Sequence, residues 1–573
     1  MAPRKKKEPT AEQATHPWRD IYANTGGKIR WDMDIPVEPL YAVLDEAVRT
    51  YPTRIAIDFL GKTMRYAELG QQVAQLTKGL QEIGVKRGVK VGLMLPNCPY
   101  YIIAYFAILK AGGTVVNINP LYTVRELQHQ IEDSDTQIIV TLNLQALHGK
   151  VAKLLNTTPL QKIIIAPFEK SLPFPKNFLF PILKRDVIAS AISYGRVNIA
   201  WDTLLANDGK YTPVHLDPLI DVALLQYSGG TTGTPKGAIL THYNLYANMT
   251  QCRAALYPIE DGKHTMLAVL PFFHVFAMTA NMNIGLIKGM TLLLHPKFDV
   301  EAVLKDIAKK KPSIFAAVPT MLVAFNNHPD IAKYDLTSLA LTVTGGAGLP
   351  PAVKAGFEAL TKSPVVEGYG LTENSPVATL NPLFAENRAG SIGIPLPQVT
   401  VEISDLKDKE KMLPLGETGE VCISGPQVMA GYWNPKEGMD SPIIEGRLHT
   451  GDIGFIDKDG YVHIVDRLKD MIICGGFNIY PRNLEDAIME HSAVKEAAVI
   501  GIADPYKGEI PKAFITCKTD MSISAEDLQK FLSGKLAKMY LPGQIEFRDE
   551  LPKTMIGKVD RKALREQTMN PLA

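Results

Sequence analysis

Val222-Ala223-Leu224-Leu225-Gln226-Tyr227-Ser228-Gly229-Gly230-Thr231-Thr232-Gly233-Thr234-Pro235-Lys236-Gly237 is a short strand-like run that passes without a break into a loop of glycines and hydroxyls. The first half has the length and apolar character of a buried strand. In the second half, glycines let the backbone curl so that successive N–H groups face an anion, the hydroxyls add donors, and Lys236 adds a point charge. These are the parts of a triphosphate cradle. A plain glycine-rich turn would not need four Ser and Thr hydroxyls and a lysine between Tyr227 and Gly237. The loop is not a Walker A loop, because no Gly-Lys pair is followed by Ser or Thr.

Outward from this loop the same alternation recurs. Val91-Gly92-Leu93-Met94-Leu95, Gln137-Ile138-Ile139-Val140, Leu267-Ala268-Val269-Leu270, Ile314-Phe315-Ala316-Ala317-Val318 and Leu341-Thr342-Val343-Thr344 read as strands, while Tyr101 to Lys110 and Val300 to Lys309 have helical periodicity. Strand, helix, strand predicts an α/β fold with parallel sheets. Several runs end in glycine turns, notably Gly345-Gly346-Ala347 and Gly368-Tyr369-Gly370, and ligands gather at such carboxyl ends. Beyond about residue 390 the strands shorten and Gly and Asp turns multiply. The charged turn Asp466-Arg467-Leu468-Lys469-Asp470 then precedes a last segment of small-domain size. The expected division is a disordered basic tail at 1–15, an N-terminal domain at 16–466, a hinge at 467–471 and a C-terminal lid domain at 472–573.

Composition narrows the class. The chain has 573 residues, 46% apolar and 21% charged, with 61 Lys and Arg against 60 Asp and Glu. Several domains of ordinary globular composition follow, and no global field favours nucleic acid. Cys98, Cys252, Cys422, Cys474 and Cys517 show neither disulfide nor metal-ligand spacing, which predicts free thiols in a reducing compartment. Arg4-Lys5-Lys6-Lys7 is followed by polar residues where a signal peptide would need an apolar stretch, and no apolar run is long enough to span a bilayer. The expectation is a cytoplasmic protein.

At the 227–237 loop the sequence resembles the adenylate-forming, AMP-binding superfamily, which contains acyl-CoA synthetases, peptide-synthetase adenylation domains and beetle luciferases. The likeness runs from about Leu40 to Arg565 through several motifs in the family's order. Within it, the stretch from Asp466 to Pro481, with Gly476-Phe477-Asn478-Ile479-Tyr480-Pro481, and the stretch from Glu546 to Lys553 look most like bacterial long-chain fatty-acyl-CoA ligases. The resemblance implies a large N-terminal domain of several subdomains with doubly wound sheets and a small mobile α+β C-terminal domain. The implied reaction joins a long-chain fatty acid to coenzyme A through an acyl-AMP, releasing AMP and pyrophosphate, with Mg²⁺, ATP and coenzyme A as participants. Loading of a carrier-protein phosphopantetheine and ligation of medium-chain or aryl acids are the alternatives within that chemistry.

The resemblance also assigns roles. Ser228, Gly229, Gly230, Thr231, Thr232, Gly233 and Lys236 would bind the phosphates. Gly346 and Ala347 would let adenine and the acyl carbonyl approach the backbone, and Tyr369 would stack on adenine. Thr372 would hydrogen-bond a phosphate and Glu373 would hold the magnesium, for which one carboxylate beside a nucleotide is chemically sufficient. Asp452 and Arg467 would take the ribose, and His274 would sit between acyl pocket and phosphates. Lys558 would stabilise charge as the carboxylate attacks the α-phosphorus. Lys469 falls at the hinge, where a proline is expected to block the swing that presents Gly475 and Gly476 to the coenzyme A channel while sparing the first half-reaction. Asn483 stands where the family commonly has an acidic residue. A homodimer is compatible with these relatives.

One segment falls outside this scheme. Between Ser171 and Ala191 the aromatics Phe174, Phe178 and Phe180 alternate with Lys176, Lys184 and Arg185. Apolar groups that enter a headgroup boundary beside bases that meet anionic lipid predict peripheral contact with the inner face of the cell membrane.

Overall fold

The structure is a computed structural model that describes residues 16–189, 192–228, 235–474, 477–536, 540–554 and 558–569. The expected tail at 1–15, Gly229, Gly230, Thr231, Thr232 and Gly233 of the loop, and Gly475 and Gly476 lie outside the described residues.

The described residues form four sheets. In the eight-stranded sheet the order is Gly431–Tyr432, Lys236–Thr241, Val222–Ser228, Thr114–Asn117, Lys90–Leu93, Ile138–Leu142, Lys162–Ala166 and Asn198–Ala200. From Val222–Ser228 to Asn198–Ala200 every pairing is parallel. The nine-stranded sheet has a parallel centre running from Val365–Gly370 through Leu341–Thr344, Ile314–Ala317, Thr265–Ala268 and Thr291–Leu294 to Ile55–Phe59. Parallel strands need crossover connections, and these are helices that cover the sheet faces. Pro99–Lys110 starts with proline at its first turn and is buried along its whole length, as its unbroken apolar sequence requires. Val300–Lys310 is amphipathic instead, and its first turn is capped by Asp299 Oδ1, which accepts from the Ala302 amide at 3.0 Å.

Strand Thr265–Ala268 stops short of the expected Leu270. The reason is local. The Ala268 carbonyl still accepts from the His295 amide at 3.0 Å, but the Leu270 carbonyl accepts instead from the Asn97 side-chain amide at 2.8 Å, so the ladder is not continued.

Past residue 390 the chain builds an antiparallel sheet from Thr400–Ser404, Gly419–Ser424, Arg447–Ile456, Ile443–Ile444 and Val462–Arg467. One apolar core runs from Trp18 to Val462. Separate cores begin at Ile472, beneath a five-stranded sheet formed by Phe477–Ile479, Ile472–Cys474, Gly508–Cys517, Val494–Asp504 and Gln544–Phe547, with helices Pro481–Met489, Ala525–Ser533 and Arg561–Met569. The architecture is α/β, with wound sheets in a large N-terminal part and a small α+β domain at the C-terminus. All five cysteines are free thiols. Among the described residues no helix is long and apolar enough to cross a membrane.

Candidate active site

Strands Val222–Ser228 and Lys236–Thr241 pair antiparallel, with Ser228 opposite Lys236, so residues 229–235 join the two at the carboxyl end of a parallel strand. Around the base of this hairpin the structure gathers residues from distant parts of the chain. Tyr432, on the neighbouring edge strand, donates from its hydroxyl to Glu373 Oε1 at 2.8 Å, and its ring lies 5.2 Å from Lys236 Nζ. Glu373 and Thr372 share the short 3₁₀ turn Thr372–Asn374 that follows Val365–Gly370. Glu373 keeps lone pairs to spare after accepting from Tyr432, and a magnesium ion bound chiefly by substrate phosphates asks for no more than one or two carboxylates. The donor set therefore fits Mg²⁺.

Facing this corner is the second sheet. Gly345 and Gly346 follow strand Leu341–Thr344, and Gly346 has φ +83°, a conformation that favours glycine. Tyr369, half-buried, donates from its hydroxyl to Asp452 Oδ2 at 2.6 Å, and Arg467 Nε pairs with Asp452 Oδ1 at 3.1 Å. A carboxylate has about four lone-pair directions, so Asp452 can hold these partners and still accept from a diol. Burial, then the Asp452 charge, raises the Tyr369 hydroxyl well above the ordinary tyrosine range, which keeps it a donor.

The turn that carries Asp452 is itself fixed from beneath. Buried Glu420 meets His449 Nδ1 at 2.9 Å through one oxygen and accepts from the Gly451 amide at 2.9 Å through the other. Cys422 lies 3.5 Å from the same imidazole nitrogen, but burial pushes its thiol up to about 11, so it is no nucleophile at neutral pH.

His274 caps the short helix Val275–Ala277, with Nδ1 accepting from the Phe276 amide at 3.3 Å. Burial, with Lys558 adding to it, lowers the imidazole to about 4, so it is neutral at physiological pH. Its segment is clamped by a buried polar chain. Tyr101 Oη, with one proton to give, lies 2.7 Å from Asn117 Oδ1 and 2.8 Å from the Phe272 carbonyl, Asn117 Nδ2 donates to Gln226 Oε1 at 2.9 Å, and Gln226 Nε2 donates to the Phe273 carbonyl at 3.0 Å. Strand Val222–Ser228 and the His274 segment are thus held to one another through side chains.

From the C-terminal domain, Lys558 reaches back over this cleft. Its Cε lies 3.7 Å from the position a Cβ would take on Gly346. Burial first, then the Arg467 guanidinium, lowers its amine to about 8, and no carboxylate among the described residues forms an ion pair with it. Lys469 is held down to about 8 by the same two causes, although its side chain is exposed.

Contacts thus join Lys236 to Tyr432 and Tyr432 to Glu373, beside Thr372, join Tyr369 and Arg467 to Asp452, and set Lys558 against Gly346, while Ser228 pairs with Lys236 and His274 feels the Lys558 charge. Ala347 is exposed on the same glycine loop. Four residues not singled out from the sequence join them. Tyr432 and Glu420 support the candidate ligands, Gln226 holds the His274 segment, and Arg482 contacts the glycine loop. A polar side chain within an otherwise apolar strand, as at Gln226 and Glu420, was the available signal.

Wound parallel sheets with glycine loops after their strands, touched by two side chains of a small α+β domain, suit a nucleotide-binding enzyme. Residues 44–433 match the family of AMP-binding enzymes and residues 483–558 match the AMP-binding enzyme C-terminal domain, so the chain belongs to the AMP-binding enzyme family. It is 40% identical to the long-chain-fatty-acid–CoA ligase of Bacillus subtilis (strain 168), over 97% of this chain and 99% of that protein. A long-chain-fatty-acid–CoA ligase of Escherichia coli O6:H1 is 36% identical over 94% of this chain and 97% of its own. Among solved structures, ATP-bound MatB from Rhodopseudomonas palustris superposes with a TM-score of 0.81 at 27% identity, covering 93% of this chain and 99% of that one.

Proposed function

We propose that this enzyme joins a long-chain fatty acid to coenzyme A in two half-reactions. In the first, a carboxylate oxygen attacks the α-phosphorus of ATP and the bond to pyrophosphate breaks, leaving an acyl-AMP. In the second, the coenzyme A thiol attacks the acyl carbon, its proton is lost, and AMP leaves. The observation that carries the reading is the Lys558 side chain, which forms no ion pair among the described residues, standing over Gly346 within reach of the Asp452 charge that Tyr369 also meets.

In this scheme residues 228–236 take the phosphates through backbone amides, hydroxyls and Lys236. Asp452 and Arg467 hold the ribose, and Tyr369, anchored by its hydroxyl, offers its ring to adenine. Gly346 and Ala347 admit the base edge and the acyl carbonyl. Neutral His274 can donate or accept one hydrogen bond between acyl group and phosphates without adding charge. Thr372 binds a phosphate, and Glu373 would hold Mg²⁺, which neutralises phosphate charge when bound. Lys558 stabilises charge built on the α-phosphoryl oxygens. Residues 16–466 act as the body, 467–471 as the hinge at Lys469, and 472–573 as a lid that then turns Gly475 and Gly476 toward coenzyme A. A homodimer is compatible with the scheme.

Apolar substrate also gives a reason to work at a membrane. Helix Lys176–Leu183 has no buried residue, and Phe178, Ile182 and Leu183 on it, with Phe174 just before it, are 67%, 73%, 69% and 79% exposed, too much apolar area in one short segment for an ordinary surface. Lys176, Lys184 and Arg185 flank it, which suits the anionic inner face of a cell membrane. Phe180 differs from the expectation, because it turns inward onto Phe168 at 5.1 Å and serves as the anchor.

Coenzyme A-dependent AMP formation across a ladder of fatty acids tests the substrate. Turnover that rises toward long chains is expected. Equal or better turnover of medium-chain or aryl acids, or acyl transfer to a holo-carrier protein in preference to coenzyme A, would replace the reading with one of its alternatives.

A further inference from the structure

Two side chains of the C-terminal domain rest on the loop Gly345–Gly348. Lys558 stands over Gly346, and Arg482 stands over Gly348. The guanidinium fills the space that a side chain on Gly348 would need: Arg482 Nη2, Cζ and Nη1 lie 2.1, 2.6 and 3.1 Å from the position of a Cβ there, and they are its three nearest atoms. Arg482 is tied to the N-terminal part by its backbone and by the guanidinium itself. Its amide donates to Asp466 Oδ2 at 2.7 Å and its Nη1 donates to the Ile464 carbonyl at 3.3 Å, both in strand Val462–Arg467 of the N-terminal part. Asp466 also accepts the Arg467 amide at 2.7 Å through its other oxygen, so one buried carboxylate joins the hinge to the first turn of helix Pro481–Met489.

Beneath the glycine loop lies Glu367, buried, with Oε1 accepting from the Leu349 amide at 3.0 Å. Burial raises its carboxyl to about 7, and the Leu349 amide and the Arg482 charge act against that shift by favouring the ionised form. A cation seated over a glycine has shape in its favour, and the carboxyl behind the loop adds attraction in its ionised form. Because Arg482 lies on the same rigid small domain as Lys558, seating one sets the position of the other.

We propose that Gly348 and Arg482 form the seat that registers the C-terminal domain in the adenylating arrangement, with Arg482 as a positioning residue for Lys558. This rests on the two-half-reaction reading. The arginine touches neither nucleotide nor acyl group in this role. It acts by placing the Lys558 amine, for which an error near 1 Å is enough to cost on the order of a hundredfold in rate.

The test measures the half-reactions separately, as pyrophosphate exchange and as thiolysis of supplied acyl-AMP. In wild type both must be present, and absence of either would sink the two-half-reaction reading rather than the seat. Arg482→Ala is expected to slow pyrophosphate exchange by about tenfold or more, and to leave thiolysis as in wild type, because that step uses a different placement of the domain. Gly348→Ala should slow exchange likewise, since its methyl group displaces the guanidinium and φ at 348 is not in the left-handed region. Adding Gly348→Ala to Arg482→Ala should then cost nothing further, because the clash has lost its partner. Arg482→Lys should restore part of the exchange rate. Equal loss of both half-reactions in Arg482→Ala, unchanged exchange in that variant, or a full additional loss in the double variant would overturn the proposal.

Discussion

At Lys558 two requirements meet in one side chain. In its proposed role the amine must be charged to stabilise a phosphoryl group in transit, yet burial and the Arg467 guanidinium both disfavour the charge and bring it to about 8. Since the protonated form is the active one, adenylation measured as kcat/KM should hold level below that value and fall as pH rises through it. Lys558→Arg, which stays charged throughout this range, should remove the alkaline limb even if its longer, planar head lowers the plateau. Lys558→Ala should lose about a hundredfold or more of pyrophosphate exchange, while still converting supplied acyl-AMP to acyl-CoA. An adenylation profile with no limb near pH 8, or the same limb in Lys558→Arg, would mean that another group titrates.

Among the elements, the hinge turn carries the sharpest revision. The Arg467 carbonyl accepts from the Asp470 and Met471 amides at 3.0 and 3.1 Å, so Leu468, Lys469 and Asp470 close a single helical turn. Arg565 Nη2 and Arg561 Nη1 then reach Asp470 at 2.7 and 3.6 Å, which fastens the last helix, Arg561–Met569, to that turn. Proline at 469 would push Leu468 out of the helical region and open the turn. The expectation that such a variant spares the first half-reaction is therefore replaced. Lys469→Pro should slow both half-reactions, by unseating Lys558 in one and impeding rotation in the other, whereas Lys469→Ala should keep pyrophosphate exchange. Exchange at the wild-type rate in Lys469→Pro would show that the turn is dispensable in the adenylating arrangement.

On the scale of the whole molecule, the apolar helix and the proposed phosphate loop both follow strands of one sheet that run in the same direction. Strand Lys162–Ala166, which leads toward helix Lys176–Leu183, is four places from Val222–Ser228 in the strand order, a separation of about 19 Å at the usual strand spacing. Both strands run parallel, so their carboxyl ends share an edge, and a membrane-bound helix would bring that edge toward the lipid. Flotation with vesicles containing anionic lipid should recover the wild-type enzyme. A Phe178→Ser, Ile182→Ser, Leu183→Ser variant should stay behind, with its pyrophosphate exchange on a water-soluble acid retained. Equal flotation of the two proteins would remove the membrane reading, and Phe180 is left in place because it anchors the helix to Phe168.

The local part of this organisation was legible in the sequence because it is written in neighbouring residues. Glycines, hydroxyls and Lys236 within one loop suggest an anion cradle from neighbouring residues alone, and alternating strand and helix periods give parallel sheets. Chemistry that depends on residues far apart in the chain was not legible in the same way. Tyr432 reaches Glu373 across 59 positions and Tyr369 reaches Asp452 across 83, and no local pattern marks those pairs. Gly348 and Arg482 carry this furthest, since a glycine in a glycine-rich loop and an arginine after a proline are each unremarkable alone. Their relation exists only where one domain is set down on the other, because an empty space acquires meaning from the side chain that fills it.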